Sequence, residues 1–156
     1  MRCILTLYPT DEQKKDLIAL LRAYSHLNNA LVTAQRRLDM SCSRLIDVNI
    51  IVPDLHRYAN SRRDMLKHYI PLIREDIVGR LRAYKEGRLK CFPTTRLNRG
   101  INVPVSARYL GNYLEILHVD DIRCDKSNLI DKNTWLSDCW VSRNKDGNFI
   151  AIINII

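Results

Sequence analysis

The sequence predicts an α+β fold in which a small antiparallel, OB-like β-barrel carries a three-helix lobe inserted after its first strand. A short alternating strand stands alone at the start, a long block with helical periodicity follows it, and short β-branched runs fill the remainder. Because a lone strand must find hydrogen-bond partners, we expect residues 2–8 to pair with the later strands. The predicted domains are therefore the barrel, residues 1–10 and 89–156, and the inserted helical lobe, residues 11–88.

The first strand and the first helix follow each other directly. Residues 2–8 alternate as a half-buried strand does, and Pro9 ends the strand because proline cannot donate to a β-ladder. The segment Thr10–Gln13 has the spacing of a helix capping box, with acidic residues where the helix dipole favours them. Leucine and tyrosine then recur at helical spacing to about Leu38, which predicts one long helix whose apolar stripe packs in the core.

Two further helices and a set of strands are expected after this helix. The second helix starts near Pro53 and continues to about His68, and the third starts at Pro71, since a first turn does not need the missing amide hydrogen. Gly87 suits the end of the third helix because it tolerates a left-handed C-cap. The pair Asp146-Gly147 predicts a tight hairpin near the end of the sequence. The predicted later strands are 101–105, 113–119, 122–124, 139–143 and 149–155.

The net charge of +8 is concentrated in one segment. Residues 57–99 carry twelve Lys or Arg against four Asp or Glu, whereas the rest of the sequence balances thirteen against thirteen. Such an excess is typical of a surface for a polyanion, and nucleic acid is the first candidate because phosphate neutralisation supplies most non-specific binding energy. A solvated helix face is the alternative interpretation. The candidate nucleic-acid-binding residues are Arg62, Arg63, Lys67, Arg82, Lys85, Arg88, Lys90, Arg96, Arg99, Arg143 and Lys145.

No metal, cofactor or catalytic site is predicted. The five cysteines show no CxxC spacing, the four histidines form no ligand pattern, and no phosphate-binding or nucleophile motif occurs. The aspartates Asp120, Asp121, Asp125, Asp131 and Asp138 fall in predicted turns, where Asp bonds to nearby backbone. We therefore expect a cytoplasmic protein that is not an enzyme, with reduced thiols and no membrane segment.

Four stretches of the sequence together match a pattern shared by a known family. They are Leu5-Thr6-Leu7-Tyr8-Pro9-Thr10-Asp11-Glu12-Gln13, Asn28-Asn29-Ala30-Leu31, Arg80–Lys85 with a partial continuation at Phe92-Pro93, and Val141–Phe149. In this order they resemble the N-terminal half of TnpB-type proteins, the transposon-encoded RNA-guided nucleases ancestral to type V CRISPR effectors. Leu27 departs from the pattern, because the family usually has an aromatic residue before the Asn.

The resemblance implies a wedge β-barrel interrupted by a helical recognition lobe. In the family these parts hold the guide RNA, the guide–target heteroduplex and the short duplex motif beside the target, reading shape and backbone rather than sequence. Family members continue into a RuvC-like nuclease that opens with Ile-Asp-x-Gly, and they usually carry a CxxC zinc ribbon, whereas this sequence stops at Ile156.

The function expected from these observations is that of a nuclease-free nucleic-acid-binding module. Its ligand would be guide-like structured RNA, an RNA–DNA duplex or duplex DNA, and a separately encoded nuclease or effector protein would be a further partner. Two alternatives stay open: a protein-interaction factor, as inhibitor or split subunit of a type V or TnpB-like effector, and an inactive transposon remnant. A prokaryotic, viral or mobile-element origin is expected.

Overall fold

The computed structural model describes residues 1–41, 64–91, 93 and 101–155. The chain divides into two compact units, one made of Met1–Leu21 with Asn98–Ile156 and the other of Arg22–Leu97. The division falls inside the first helix, so the opening turns of that helix group with the strands.

The first unit is a closed antiparallel β-barrel, in which the described residues form six strands. Around the barrel the strands follow the order β1-β4-β3-β2-β5-β6. This confirms the α+β class and the small antiparallel barrel predicted from the sequence. The strands are β1 Arg2–Tyr8, β2 Val103–Tyr109, β3 Tyr113–Ile116, β4 Asp120–Cys124, β5 Thr134–Arg143 and β6 Phe149–Asn154.

Strand β1 closes the barrel by pairing on both of its sides. It pairs with β6 through Leu5 and Ala151 and with β4 through Leu7 and Cys124, which confirms that the first strand joins the later ones. Its alternating pattern sets which side chains enter the core. Leu5 is 2% exposed, whereas its neighbour Ile4 is 57% exposed.

Two strands are longer than the sequence pattern predicted. Strand β2 continues through Ser106–Tyr109, and β5 begins with Thr134–Asp138, five residues before its predicted start. These segments pair with each other. Their outward-facing polar residues lack the high strand propensity of β-branched residues, so the sequence pattern did not mark them as strands. The placement of Asp120, Asp121 and Asp138 in turns was also wrong, because all three lie within strands.

The first helix, α1, spans Asp11–Ser41 and begins with the predicted capping box. The Gln13 amide N–H donates to Thr10 Oγ1 at 3.3 Å, and the Thr10 N–H donates to Gln13 Oε1 at 2.9 Å. Gln13 Nε2 also donates to the carbonyl of Asp121 at 2.8 Å, so one amide side chain both caps the helix and ties it to β4. The start of α1 is thereby fixed against the barrel wall.

The second described helix, α2, spans Asp64–Lys85 without a break. The predicted end of one helix at His68 and start of another at Pro71 is therefore wrong. Pro71 lies inside α2, where it removes one backbone hydrogen bond at a cost of about 3 kcal/mol. Burial of the apolar face on both sides of Pro71, from Leu66 to Leu81, offsets that cost. The predicted helix before Asp64 lies outside the described residues.

The C-terminus of α2 ends in the left-handed turn that the sequence predicted at Gly87. Gly87 has a φ of 78°. Its N–H donates to the Tyr84 carbonyl at 3.0 Å, and the Arg88 N–H donates to the Ala83 carbonyl at 2.8 Å. These two bonds form a Schellman motif, which satisfies carbonyl groups that the end of a helix leaves unpaired.

The two glycines of this region should respond in opposite ways to alanine. We expect Gly87→Ala to lower the free energy of unfolding by about 1–2 kcal/mol, because a Cβ is disfavoured at its positive φ. Gly79→Ala is the matched control. Gly79 lies inside α2 with nothing within 4 Å of an added Cβ, so alanine should raise stability by about 0.5–1 kcal/mol. Urea denaturation measures both, and equal effects would contradict the left-handed cap.

Candidate nucleic-acid interface

All of the net charge of the chain lies in one of the two units. The unit Arg22–Leu97 contains fifteen Lys or Arg and seven Asp or Glu, which gives it the whole net charge of +8. The barrel unit contains ten of each kind and is neutral. The excess of positive charge, which would attract a polyanion, therefore belongs to the unit Arg22–Leu97, which we call the helical unit.

One side of α2 carries a row of basic residues. Lys67, Arg74, Arg82 and Lys85 follow one another at intervals of seven, eight and three residues, which places them on one side of a helix with 3.6 residues a turn. Lys67 and Arg82 are exposed, and Arg74 and Lys85 are half-buried. We call these four residues the basic stripe. The buried residues of α2 are Met65, Leu66, Tyr69, Ile70, Ile73, Ile77 and Leu81.

Arg74 was not among the residues predicted from the sequence. Its Nε atom is buried and makes no hydrogen bond within the described residues. The signal that could have found it is its spacing of eight residues from Arg82, because both residues lie within the helix that was predicted to start at Pro71. The predicted helix break at Pro71 concealed only the alignment of this row with Lys67.

Two of the predicted binding residues, Arg88 and Lys90, follow α2. Arg88 and Lys90 are both exposed. Arg88 Nη2 lies 2.6 Å from Glu86 Oε2, so its guanidinium group already has a carboxylate partner. Arg82 and Lys85 occupy the last turn of α2, where cations also stabilise the helix dipole. Of the predicted residues on α2, Lys67 and Arg82 are exposed to solvent, and Lys85 is half-buried.

The two predicted residues in the hairpin belong to the barrel unit. Arg143 precedes the β5–β6 turn, its Nε donates to the Gly147 carbonyl at 3.1 Å, and its guanidinium carbon lies 5.3 Å from the centroid of the Phe149 ring. Arg143 thus has a structural role in the hairpin. Lys145 is exposed at the tip of the same turn. The remaining predicted residues, Arg62, Arg63, Arg96 and Arg99, lie outside the described residues.

A polar network connects α1 with α2 inside the helical unit. The Tyr24 hydroxyl donates to Asp76 Oδ2 at 3.0 Å, and Arg80 Nη2 donates to the Tyr24 oxygen and, at 3.1 Å, to Asn28 Oδ1. Burial raises the pKa of Asp76 above its ordinary value, although the nearby Arg80 opposes the shift. Arg80 and Asn28 therefore help to hold the two helices together.

The four cysteines of the described residues are free thiols, and three of them are buried. Cys3, Cys124 and Cys139 are buried free thiols, and Cys91 is exposed. Burial raises the pKa of Cys124 to about 11 and that of Cys139 to about 12, so both stay protonated at neutral pH. Within residues 1–41, 64–91, 93 and 101–155, no cluster of three or more His, Cys, Asp or Glu could hold a metal ion.

Neither described helix is long and apolar enough to cross a membrane. The sequence matches no protein-family model and no curated protein.

Proposed function

We propose that this chain is a nucleic-acid-binding module whose helical unit attracts the ligand and which has no nuclease activity of its own. One observation carries the proposal: the whole net charge of +8 lies in the unit Arg22–Leu97. Even if each of its seven acidic residues were paired with a basic one, eight basic residues would remain. A solvated helix face with balanced charges does not have this excess.

The basic stripe supports an extended polyanion as the ligand. From Lys67 to Lys85 the helix rises about 27 Å, at 1.5 Å per residue. Measured along the axis of a DNA duplex, each strand has one phosphate per about 3.4 Å, so roughly eight phosphates of one strand fall within this axial length. A small anion would occupy only one end of such a row. A nucleic-acid strand can contact several of its members at once.

Structured RNA is the ligand that we favour. The barrel with an attached helical unit agrees with the layout implied by the resemblance to the first half of TnpB-type proteins, which hold guide RNA and RNA–DNA duplex. Such proteins bind the backbone and the A-form shape of the duplex. A nuclease or effector partner would carry out any cleavage of a target.

The test measures the affinity of the purified chain for a labelled RNA hairpin at several salt concentrations, from about 0.05 M to about 0.5 M. Each neutralised phosphate contributes about −0.7 to −0.9 to the slope of log K against log salt, so engagement of the stripe predicts a slope of about −3 or steeper. A slope near zero would contradict the proposal. The RNA and a DNA duplex should stay intact with Mg²⁺ or Mn²⁺, and metal-dependent cleavage would refute the nuclease-free assignment.

A further inference from the structure

The exposed aromatic side chains of the described residues all lie on the barrel. Tyr8 is 50% exposed, Tyr113 is 47% exposed and Trp135 is 62% exposed. They belong to β1, β3 and β5, and each occupies an outward position of its strand, because the alternate residues are buried or less exposed. Large exposed rings that adjoin one another on a protein surface mark interaction sites, whereas rings scattered singly do not.

The strand register brings two of these rings to the same arginine. Arg123 of β4 is the cross-strand partner of Tyr8 on one side and of Tyr113 on the other. Its guanidinium carbon lies 5.7 Å from the centroid of the Tyr8 ring, and the Tyr8 hydroxyl donates to Asp125 at 2.8 Å. Tyr8, Arg123 and Tyr113 therefore form a row across three adjacent strands, with the arginine between the two aromatic residues.

The neighbouring row repeats this chemistry. Arg108 of β2 is the cross-strand partner of Trp135 and of Glu115. Its guanidinium carbon lies 5.2 Å from the centroid of a Trp135 ring, and its Nη2 lies 2.5 Å from Glu115 Oε2. Glu115 is two residues from Tyr113 on β3, so both point outward from that strand, and the two rows adjoin each other on the outer wall of the closed barrel. We call Tyr8, Arg123, Tyr113, Arg108 and Trp135 the aromatic face.

The aromatic face presents exposed rings but little excess positive charge. Glu115 neutralises Arg108, and Asp125 lies beside Tyr8, so the face holds little excess positive charge. Each arginine holds a ring in place through a cation–π contact and leaves about half of the ring in solvent. Trp135 also lines a cavity of about 280 Å³ together with Leu129 and Thr134. Flat rings held in place beside guanidinium groups complement the flat faces of unpaired bases.

We propose that the aromatic face stacks the unpaired bases of a single-stranded segment of nucleic acid. This inference rests on the proposed function, because the bound molecule is again nucleic acid. It assigns a second surface, on the neutral barrel unit, to the single-stranded part of the ligand. Because stacking displaces few counterions, this surface should add affinity without adding to the salt dependence.

The test measures binding of a fluorescently labelled single-stranded uridine oligonucleotide by anisotropy at several salt concentrations. Trp135→Ala and Tyr113→Ala should each weaken binding between about fivefold and a hundredfold and leave the salt slope unchanged. Trp135→Phe should retain most of the affinity, because it keeps an aromatic ring. Ile4→Ala is the matched control, since Ile4 is 57% exposed on a barrel strand but carries no ring. Circular dichroism establishes that each variant is folded.

The outcomes separate this inference from the proposed function. If both alanine variants are folded and bind as the unchanged protein does, the aromatic face does not bind bases, and a protein-docking role would replace it. If binding falls together with the salt slope, the rings act through electrostatics and the inference is also wrong. The RNA hairpin experiment tests independently whether the helical unit binds nucleic acid. Should Trp135→Ala fail to fold, two other measurements test the inference. The first is the affinity of Tyr113→Ala for the oligonucleotide. The second uses Trp140→Phe, in which Trp135 is the only tryptophan, and measures whether the oligonucleotide quenches its fluorescence.

Discussion

Replacing Lys67, Arg82 and Lys85 together with glutamine is expected to weaken hairpin RNA binding on the order of a hundredfold at about 0.1 M salt. These residues lie on one side of α2, within the unit that carries the whole net charge. Each lost phosphate contact removes about one unit from the salt slope, so the slope should become shallower by about two to three units. Glutamine keeps the length and polarity of the side chains, which limits any effect on the helix.

The control for this experiment is an equal loss of charge in the neutral barrel unit. Lys14, Lys15 and Lys126 are exposed there, and Lys15 already pairs with Glu12 at 3.0 Å. Their replacement by glutamine should change the affinity by less than about tenfold through the general loss of charge. If the two triple variants lose affinity and slope equally, the protein is a diffuse cation, and the basic stripe is not a binding site.

The Leu5→Ala substitution is expected to lower the free energy of unfolding of the barrel by about 2–5 kcal/mol. Leu5 is 2% exposed at the middle of β1, the strand that joins β4 and β6 and closes the barrel. The loss combines the transfer free energy of the removed methyl groups with the cavity left behind. Since small proteins are stable by only about 5–15 kcal/mol, this change should be visible as a clear fall in the urea midpoint.

Ile4→Ala is the control, because it removes the same number of carbon atoms from the adjacent position. Ile4 is 57% exposed on the outer surface of the same strand, so its truncation should cost less than about 1 kcal/mol. Comparable losses at the two positions would mean that β1 does not present Leu5 to the core in solution. They would then contradict the register by which β1 pairs with β6.

The barrel was predictable because its sequence signals are local. The alternation in residues 2–8, the capping box at Thr10–Gln13 and the Asp146-Gly147 turn each determine structure within a few residues. The continuity of α2 through Pro71 was not predictable in this way. It depends on the burial of residues up to Leu81, and a local rule about proline does not include that contribution.

The candidate surfaces were predictable only in part. The excess of positive charge can be counted from composition, and Lys67, Arg82 and Lys85 follow from it once a helix is assumed. The row of Tyr8, Arg123 and Tyr113 could not be found in this way. Their residue numbers are far apart, and only the cross-strand register brings them together. A surface built across strands is invisible to any pattern that is read along the chain.

The separation of charge between the two units has a consequence for colloidal behaviour. With ten basic and ten acidic residues, the barrel unit has no net charge at neutral pH, so repulsion between molecules comes from Arg22–Leu97. A polyanion that neutralises this unit also removes the repulsion, because proteins near zero net charge associate and precipitate. Solutions should therefore be most turbid where phosphate and protein charges are equivalent, and should clear when either component is in excess.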